Sequence, residues 1–377
     1  MTSGRRELER FRDPELVRRL LARAQRLAQR AADRLGHRPV IMEVCGTHTV
    51  ALSRSGLRNA LADAVELKSG PGCPVCVTDY RDIDLMLALA RLPGVTIATF
   101  GDMLRVPGSN SSLERERAQG AAVEVFYSPD DAVALAAARP DRQVIFLGVG
   151  FETTAPVVGA SLEQAAAQGL TNFSVFSAHK TVPPVMRALL ADPELGLDGF
   201  LLPGHVSTII GRRAFSFLGE EYGVPAAITG FEPVDILLGL SAVLAQLVAG
   251  EARVVNCYGR VVREEGNPRA QAVIDRCFAP AEASWRGIGT VPESGLALRP
   301  AYAAFDAAKR FPVSVPPPVI PRGCRCGELL RGKIKPTQCG LFGRACTPER
   351  PVGPCMVSSE GACAAYYLYG GRETETD

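Results

Sequence analysis

Between residues 40 and 250, short apolar runs rich in β-branched side chains alternate with helix-like segments. A strand followed by a helix, repeated along the chain, is typical of βαβ units arranged around parallel sheets. We predict strands at residues 40–44, 65–68, 95–100, 123–127, 144–149, 173–177, 200–202 and 226–229. We predict helices at residues 79–91, 129–138, 155–168, 183–190 and 234–248. The predicted fold class is therefore α/β, with two tandem doubly wound domains built on mostly parallel sheets.

Patterns at the two ends complete the predicted domain organisation. Leucines and alanines recur on one side of residues 14–34, which predicts an amphipathic helix. Pro140 offers a break between the two α/β domains. Five prolines in residues 311–326 indicate a stiff connector into a Cys- and Gly-rich tail. We therefore predict an N-terminal helical segment, two α/β domains and a small Cys-rich iron–sulfur domain, at residues 1–37, 38–139, 140–251 and 252–377.

Composition and charge narrow the classes of function. The 377 residues include 42 basic and 40 acidic side chains, and a net charge of +2 argues against a nucleic-acid partner. The longest uncharged apolar stretch, residues 236–250, is shorter than the ~20 residues that span a bilayer, so we expect no membrane association. Residues 1–38 contain eleven arginines and no continuous apolar stretch, which does not fit a secretory signal. We expect a cytoplasmic protein.

Cysteine usage is the most informative departure from an ordinary composition. Three of the eleven cysteines occur early, at positions 45, 73 and 76, and six fall within residues 324–363. In a reducing compartment, metal ligation or redox chemistry is more probable than a disulfide framework. Cys257 and Cys277 belong to no motif, and we interpret them as packing or surface residues.

Most of the unusual residues directly follow a predicted strand. They include the segments that carry Cys45 and His48, Cys73 and Cys76, Glu152, His179, His205, and Glu232 with Asp235. Open α/β sheets bind ligands at the carboxyl ends of their strands. We therefore predict that the chemistry lies in a cleft between the two domains. His205 could be a hydrogen-bond donor or general acid, and capping of a helix N-terminus is the simplest role for Glu152 and Glu232.

The early cysteines allow several interpretations. Cys45 with His48, and Cys73 with Cys76, each have two intervening residues, so each pair can reach one metal ion from a single turn. Together they offer three thiolates and one imidazole, which suits a transient, redox-capable transition-metal site or a structural zinc site. Cys73 and Cys76 alone also resemble a reversible dithiol that precedes a helix. Chemically inert cysteines are the remaining possibility.

The spacing of the C-terminal cysteines favours an iron–sulfur cluster. From Cys324 there are 14 intervening residues to Cys339, 6 more to Cys346 and 16 more to Cys363. Four thiolates in a Gly-rich region suit sulfide-bridged iron, whereas zinc sites favour closely paired cysteines. The two remaining thiols are those of Cys326 and Cys355. They could form a disulfide that couples the one-electron chemistry of the cluster to the two-electron chemistry of a dithiol.

Taken in order, these motifs resemble the HypD family of hydrogenase maturation factors. The resemblance extends over residues 38–370 and depends on the segments that begin at Cys45, Gly70, Gly150, Pro203 and Gly230, and on the six-Cys tail. It implies assembly of the Fe(CN)₂CO group of [NiFe]-hydrogenases. It also implies a complex with a small HypC-type chaperone that holds iron, and cyanide delivery from HypE, which HypF supplies with carbamoyl groups.

The resemblance also implies roles for individual residues. Cys45 corresponds to an iron ligand, with His48 beside it, and Cys73 and Cys76 form a dithiol that either binds iron or delivers electrons. His205 and Glu152 fall in family motifs at the cleft, and we predict that they contribute to the chemistry there. The remaining assignments are a [4Fe–4S] cluster on Cys324, Cys339, Cys346 and Cys363, and a neighbouring redox pair, Cys326 and Cys355.

Two alternatives remain open at this point. An iron–sulfur-dependent protein disulfide reductase would use Cys73 and Cys76 as its substrate-facing dithiol and would need no mononuclear iron. A zinc-stabilised interaction module would use the same cysteines without redox chemistry. Classification as an enzyme also remains open, because the product of a maturation factor leaves as a group bound to a partner.

Overall fold

The computed structural model describes residues 10–370. The strands are β1 (Val40–Glu43), β2 (Glu66–Ser69), β3 (Val95–Thr99), β4 (Ala122–Val125), β5 (Gln143–Gly148), β6 (Phe173–Ser177), β7 (Gly199–Pro203), β8 (Ala226–Thr229), β9 (Val254–Asn256), β10 (Phe278–Trp285) and β11 (Gly289–Leu298). The predicted strands are all present, with ends that differ by one or two residues.

Helices separate most of these strands. They are α1 (Pro14–Leu35), α2 (Gly46–Arg54), α3 (Leu57–Ala60), α4 (Pro74–Val77), α5 (Tyr80–Ala90), α6 (Leu113–Ala118), α7 (Pro129–Ala138), α8 (Ala155–Ala167), α9 (Val182–Leu190), α10 (Gly204–Ile210), α11 (Phe217–Glu220), α12 (Pro233–Ala249), α13 (Pro268–Cys277), α14 (Ala307–Arg310), α15 (Cys326–Leu330), α16 (Pro354–Val357) and α17 (Ala362–Tyr369). Short 3₁₀ turns lie at Gly101–Met103, Pro193–Leu195, Arg213–Phe215, Pro300–Phe305 and Pro336–Gln338.

Two parallel sheets form the centre of the fold. The first has five strands in the order β2-β1-β7-β8-β9, and the second has four in the order β4-β3-β5-β6. Neighbouring strands are parallel throughout both sheets. The predicted α/β class with parallel sheets is therefore confirmed, and a Cys-rich region follows near the C-terminal end.

The two sheets are nested along the chain and not tandem as predicted. β1 pairs with β2 on one side and with β7 on the other, and β7 comes after the whole second sheet. β3 pairs with β5 across the predicted break at Pro140. The second sheet is thus an insertion between β2 and β7 of the first. Apolar periodicity identifies each strand but carries no information about its neighbour in the sheet, which explains the difference.

An antiparallel hairpin, β10–β11, was not predicted from the sequence. It belongs to the segment assigned to the C-terminal domain, yet it joins the second sheet, because Thr181 donates its backbone N–H to the Ser294 carbonyl at 2.9 Å and Ser177 Oγ donates to the Leu296 carbonyl at 2.6 Å. In its turn, Gly287 has a φ of +75°, which favours glycine.

The predicted N-terminal helix is confirmed as α1. Asp13 caps it by accepting hydrogen bonds from the backbone N–H groups of Glu15 and Leu16 at 2.8 and 2.9 Å. Its buried stripe packs against α12 on one face of the first sheet and consists of Leu20, Ala24, Ala28 and Ala31. Residues 1–9 of the predicted N-terminal segment, and residues 371–377 of the predicted C-terminal domain, lie outside the described residues.

Apolar packing joins the two sheets into one body. One core cluster includes Met42 and Phe200 of the first sheet together with Ile97 and Ile145 of the second. Burial of this shared surface removes apolar area from water on both sheets at once. Among residues 10–370, no helix is both long and apolar enough to cross a membrane.

Candidate functional site

Four neighbouring strands of the first sheet are followed by loops that carry predicted site residues. Cys45 follows β1, Cys73 follows β2, His205 follows β7 and Phe231 follows β8, and these strands lie side by side. Because they are parallel, their carboxyl ends meet at one edge of the sheet, as the sequence analysis expected. Glu152 instead follows β5 of the second sheet.

The turn at Cys45 lies directly against the loop that leads to Cys73. Gly46 donates its backbone N–H to the Gly72 carbonyl at 3.0 Å. A Cβ atom added to Gly72 would lie 2.2 Å from the Cys45 nitrogen, so only glycine allows this approach. The structure therefore brings Cys45 beside the segment that carries Cys73 and Cys76.

The Cys45 thiol is buried at the N-terminus of α2. Burial raises the pKa of the thiol to about 12 and the nearby Glu360 carboxylate raises it further, while the backbone N–H groups of His48 and Thr47 act in the opposite direction. A thiol in this environment stays neutral until a cation replaces its proton, since a bound metal stabilises the thiolate directly.

The Glu43 side chain supports the Cys45 turn through hydrogen bonds to three neighbouring side chains. No sequence motif pointed to it. Its Oε1 atom accepts hydrogen bonds from Thr49 Oγ1 and Ser69 Oγ, both at 2.6 Å, and from Arg58 Nη2 at 3.1 Å. Burial raises the pKa of Glu43 to about 7, and Arg58 opposes the shift. The carboxyl group thereby links the ends of β1 and β2 to α2.

His48 is fully buried and lies on the inner side of α2. Its Nε2 atom is 3.0 Å from the Gly230 carbonyl oxygen, and a carbonyl requires a donor, so Nε2 carries the hydrogen. The Nδ1 atom is buried and has no hydrogen-bond partner in the described part of the chain. Burial lowers the pKa of His48 to about 4, so the ring is neutral and Nδ1 keeps its lone pair.

Phe231 brings His205 into the same neighbourhood. The His205 ring stacks on Phe231 with centroids 4.0 Å apart, and the His48 ring lies 4.8 Å from the same phenyl ring. Partial burial lowers the pKa of His205, while the Glu360 carboxylate acts in the opposite direction. The structure thus places both predicted histidines around one aromatic side chain.

Glu360 is a second residue that sequence reasoning missed. Its Oε1 atom accepts a hydrogen bond from Thr47 Oγ1 at 2.5 Å, and a Cβ atom on Gly46 would lie 2.6 Å from the Glu360 carbonyl oxygen. The residue comes from the Cys-rich tail, between Cys355 and Cys363. The tail therefore covers the Cys45 turn.

Cys73 and Cys76 form a disulfide between the Cys45 turn and the Cys-rich tail. Their Cα atoms are 5.2 Å apart, and the Cys73 sulfur accepts a hydrogen bond from the Cys76 backbone N–H at 3.2 Å. The Cys76 sulfur lies 3.9 Å from the carbonyl oxygen of Pro354, which precedes Cys355. The segment that carries the disulfide therefore lies between the Cys45 turn and the residue that precedes Cys355.

All six cysteines of the tail line one cavity. The space between its atoms is about 380 Å³, and its wall is otherwise largely apolar. The side chains that form it are those of Cys324, Arg325, Cys326, Leu329, Ile334, Pro336, Cys339, Leu341, Phe342, Cys346, Gly353, Cys355, Met356 and Cys363. Residues separated by up to 39 positions thus contribute sulfur atoms to a single, largely apolar pocket.

Two of the six thiols pair with each other. Cys355 donates a hydrogen bond to the Cys326 sulfur, which lowers the pKa of Cys326 and raises that of Cys355. The four other thiols are Cys324, Cys339, Cys346 and Cys363, the predicted cluster ligands.

Electrostatics in this cavity oppose ionisation of the thiols. Burial raises the pKa of Cys324 to about 12 and raises that of Cys363, and each neighbouring sulfur adds to the shift. As the side chains of residues 10–370 stand, no three of His, Cys, Asp or Glu already form a metal-ion site. The donor set and the dry wall nevertheless fit a cationic iron–sulfide core, which would stabilise four adjacent thiolates.

Glu152 lies in the loop that follows β5 of the second sheet. Its Oε1 atom accepts a hydrogen bond from the backbone N–H of Val182 at 2.8 Å, so it caps α9, and its Oε2 atom is buried with no partner among the described residues. Burial raises the pKa of Glu152 to about 7. Glu232 ends the second Gly-Phe-Glu segment of the chain, residues 230–232, and caps its own helix α12 together with Asp235.

Two parallel sheets hold one group of cysteines at a carboxyl edge, and a second group lines one largely apolar cavity. This arrangement defines a thiol-rich α/β protein. The family model described as HypD: Hydrogenase formation hypA family matches residues 15–370. The chain belongs to this family, which confirms the resemblance drawn from the motifs.

Curated relatives support the same assignment. The chain is 46% identical over 370 residues to the hydrogenase maturation factor HypD of Rhodobacter capsulatus, covering 96% of this chain and 97% of the relative. It is 46% identical to HypD of Azotobacter vinelandii, with 96% of each chain covered. It is 44% identical over 372 residues to HypD of Escherichia coli K12, covering 98% and 99%. The chain is therefore a hydrogenase maturation factor of the HypD family.

Proposed function

We propose that this chain is a redox-active scaffold on which the Fe(CN)₂CO group of a [NiFe]-hydrogenase is assembled. The observation that carries the proposal is the series of adjoining cysteine segments: Cys45 lies against the loop that leads to Cys73, and Cys76 lies against Pro354, whose neighbour Cys355 lines the six-Cys cavity. Such a series provides a place to hold a soft metal ion and a route for electrons to reach it.

The iron is the cargo of this scaffold, and Cys45 is its ligand on this chain. A thiolate is a soft donor that suits iron carrying cyanide and carbon monoxide. His48 Nδ1 and the Glu360 carboxylate lie around the same turn, where they can orient the cargo or take up the thiol proton. A small HypC-type chaperone binds the iron from the other side.

Cyanide arrives from HypE, which HypF serves upstream, as a thiocyanate group on sulfur. Release of cyanide breaks the S–C bond and requires two electrons. The thiolates of Cys73 and Cys76 supply this pair, and they become joined by an S–S bond while the donor sulfur leaves as a thiolate. A Cys73–Cys76 disulfide is the form that this step would leave behind, which supports the assignment of the pair as electron donor.

The cavity at the other end restores the dithiol. The ligands of a [4Fe–4S] cluster would be Cys324, Cys339, Cys346 and Cys363, and when bound it would supply single electrons. Cys326 and Cys355, whose thiols share a hydrogen bond, form the pair that exchanges electrons two at a time with the Cys73–Cys76 disulfide.

The test is anaerobic purification of the full chain with its small partner, followed by metal analysis, visible absorption and infrared spectroscopy. Wild type should show a cluster chromophore, additional iron, and infrared bands of metal-bound cyanide and carbon monoxide. Cys45→Ala should lose the bands and the additional iron but keep the chromophore, whereas Cys346→Ala should lose the chromophore and lower stability, because ligation there contributes folding free energy.

Cys277→Ala is the matched control, since this buried thiol donates to the Gly159 carbonyl in the core of the second sheet. It should keep both signals. Loss of both signals in Cys45→Ala would contradict the separation of the two sites. A wild-type chromophore without cyanide or carbon monoxide bands would favour the disulfide reductase, and a colourless zinc protein would favour the interaction module.

A further inference from the structure

A solvent-facing groove adjoins the six-Cys cavity. It runs between β2, the edge strand of the first sheet, and residues 332–338 of the Cys-rich tail. The space between its walls is about 930 Å³, part of which is open to solvent. A smaller recess continues the groove along β2. The residues that line both spaces are Arg38, Glu66, Leu67, Lys335 and Tyr366.

A single layer of residues separates this groove from the thiols. Leu329, Ile334 and Pro336 line both the groove and the six-Cys cavity. All three are apolar, and Leu329 and Pro336 are buried. Electron transfer slows steeply as the distance between two redox groups grows. A redox partner seated in the groove would therefore be well placed to exchange electrons with a cluster on the cysteines of the cavity.

Other sides of the Cys-rich tail face the interior of the molecule. The carbonyl oxygen of Pro354 lies 3.9 Å from the Cys76 sulfur, and Glu360 accepts a hydrogen bond from Thr47 at 2.5 Å. These contacts belong to the Cys73–Cys76 segment and to the Cys45 turn. The groove instead faces solvent, so a separate protein can reach it.

Charge in the groove is mainly positive. Its lining includes four basic side chains and one acidic side chain, Glu66. Glu66 is shared by Arg38 and Lys68, with N–O distances of 3.5 and 3.9 Å. Lys335 is exposed and forms no ion pair with the described part of the chain. An excess of positive charge on a surface favours an acidic partner.

The fourth basic residue, Lys333, adds little to this excess. It forms ion pairs with Asp192, at 3.1 Å, and with Glu194. The sign of the surrounding surface is nevertheless the same, because residues 311–370 contain seven basic and three acidic side chains. The uncompensated charge of the groove is thus carried mainly by Arg38, Lys68 and Lys335.

The groove suits a weak and transient protein complex. Tyr369 lies three residues after Tyr366 on α17, on the same side of the helix, and is 41% exposed at the rim of the groove. Complexes of redox carrier proteins are typically small, below ~1,200 Å² of buried surface, and are guided by charge. A nucleic acid is less suitable, since the groove lacks the series of aromatic side chains on which bases stack.

We propose that this groove docks a small acidic protein that carries one electron, and that the electron passes through the wall formed by Leu329, Ile334 and Pro336. This inference rests on the proposed function, because it assumes a [4Fe–4S] cluster on the four cysteines of the cavity. In each transfer the carrier is oxidised by one electron, the cluster is reduced by one, and no bond forms or breaks. Two successive transfers supply the electron pair that Cys326 and Cys355 pass on.

Binding is measured first, on the full chain with its cluster, with an oxidised acidic [2Fe–2S] ferredoxin as the probe. Titration calorimetry should show binding at about 20 mM salt that weakens about tenfold or more at about 200 mM, because salt screens charges on the two surfaces. Arg38→Glu/Lys335→Glu should weaken binding at the lower salt concentration by about tenfold or more.

Electron transfer is measured next, by stopped-flow absorption of the cluster. At concentrations below the dissociation constant, reduced ferredoxin should reduce Arg38→Glu/Lys335→Glu about tenfold more slowly than wild type. Dithionite is a small reductant that needs no docking surface, so it should reduce the two proteins at rates within about twofold of each other. The comparison separates loss of docking from damage to the cluster.

Two control variants separate charge in the groove from charge elsewhere and from structure. Arg117→Glu/Arg269→Glu makes the same change in net charge at exposed arginines on α6 and α13, outside the groove. Arg38→Lys/Lys335→Arg keeps both positive charges in the groove. Each control should keep the affinity and the rate within about twofold of wild type.

Each further outcome has a distinct meaning. Absence of ferredoxin binding at low salt, or equal weakening in the groove variant and in Arg117→Glu/Arg269→Glu, would overturn the inference. Tighter binding of a single-stranded DNA oligonucleotide than of ferredoxin would also overturn it, since the groove would then suit a nucleic acid. Equal slowing with ferredoxin and dithionite would show that the groove acts only on the cluster and would overturn it too. A wild-type chain without a cluster chromophore would instead count against the proposed function.

Discussion

At the scale of single residues, buried carboxyl groups set a pH dependence. Glu43 has Arg58 and two hydroxyl donors around it, whereas Glu152 has one backbone donor and an unpartnered oxygen. Burial is the largest cause of the raised pKa of both groups. Glu152 lacks a charged partner, so its substitution reports more directly how burial of a carboxyl group affects stability.

Glu152→Gln should remove one component of the pH dependence of stability. The folded chain holds the proton of Glu152 up to about pH 7, whereas a free glutamate releases it at pH 4.5. The stability that this group contributes is therefore complete below pH 4.5 and is lost as the pH rises through 7. We expect similar stabilities at pH 5, and a variant more stable by roughly 1–3 kcal/mol at pH 8.

Urea unfolding of both proteins at the two pH values measures this difference. Replacement of the exposed Glu282 by Gln is the control and should give the same result at both. A difference between wild type and Glu152→Gln that does not change with pH would show that the carboxyl group is already ionised at pH 5.

Sequence reasoning identified the residues whose chemistry is marked by spacing. The cysteines fell into recognisable pairs, and the structure gathers them into two neighbouring groups. Phe231 lies inside the segment that begins at Gly230, but no pattern marked its ring as the one on which the histidines pack. Glu360 belongs to no spaced motif and reaches the Cys45 turn from a distant segment. Their positions depend on tertiary contacts that local pattern does not contain.

At the scale of elements, close contact between loops depends on particular glycines. Gly72 lies against the backbone of Cys45, where a Cβ atom would approach to 2.2 Å of the nitrogen. Strand existence could be predicted from apolar runs, but such contacts could not. The β10–β11 hairpin was missed for a different reason: β10 consists largely of Ala, Pro, Glu and Ser, which are depleted in strands and form no β-branched apolar run.

Gly72→Ala should destabilise the protein by roughly 1–3 kcal/mol or more, because the backbone of one of the two loops must move. Gly259→Ala is the matched control, since nothing lies within 4 Å of its Cβ position and its φ is not positive. The midpoint of urea unfolding gives the comparison. Equal midpoints for both variants would mean that the two loops separate freely.

At the scale of the whole molecule, the insertion of the second sheet between β2 and β7 determines which strands stabilise one another by pairing. β1 pairs with β7 although more than 150 residues separate Ile41 from its partner Gly199 in sequence. Periodicity predicted the strands of both sheets except β9, but parallel strands can be connected in several orders. The order became known only from the pairing itself.

Leu201→Ala and Phe146→Ala test this dependence by hydrogen exchange. Both side chains are fully buried, one in β7 on the α12 side of the first sheet and one in β5 of the second. Each substitution should cost roughly 2–5 kcal/mol. We expect Leu201→Ala to reduce amide protection in β1 and β2, and Phe146→Ala to reduce it in β3, β4 and β6.

Mass spectrometry of peptides from each strand measures the protection. In a tandem arrangement Leu201→Ala would loosen β5 and β6 and leave β1 unaffected, which would contradict the nested order. Equal loss across both sheets would show that they open only as a single unit.

Nesting also has a consequence for the order of events during synthesis. β1 and β2 leave the ribosome before the residues at 70–198, and β7 follows only after them. At ~5–20 residues per second, that interval is roughly 6 to 26 seconds. During this interval β1 has not yet paired with β7, so the Cys45 turn is incomplete. The thiol of the nascent chain is then accessible to oxidants and to metals other than its intended one.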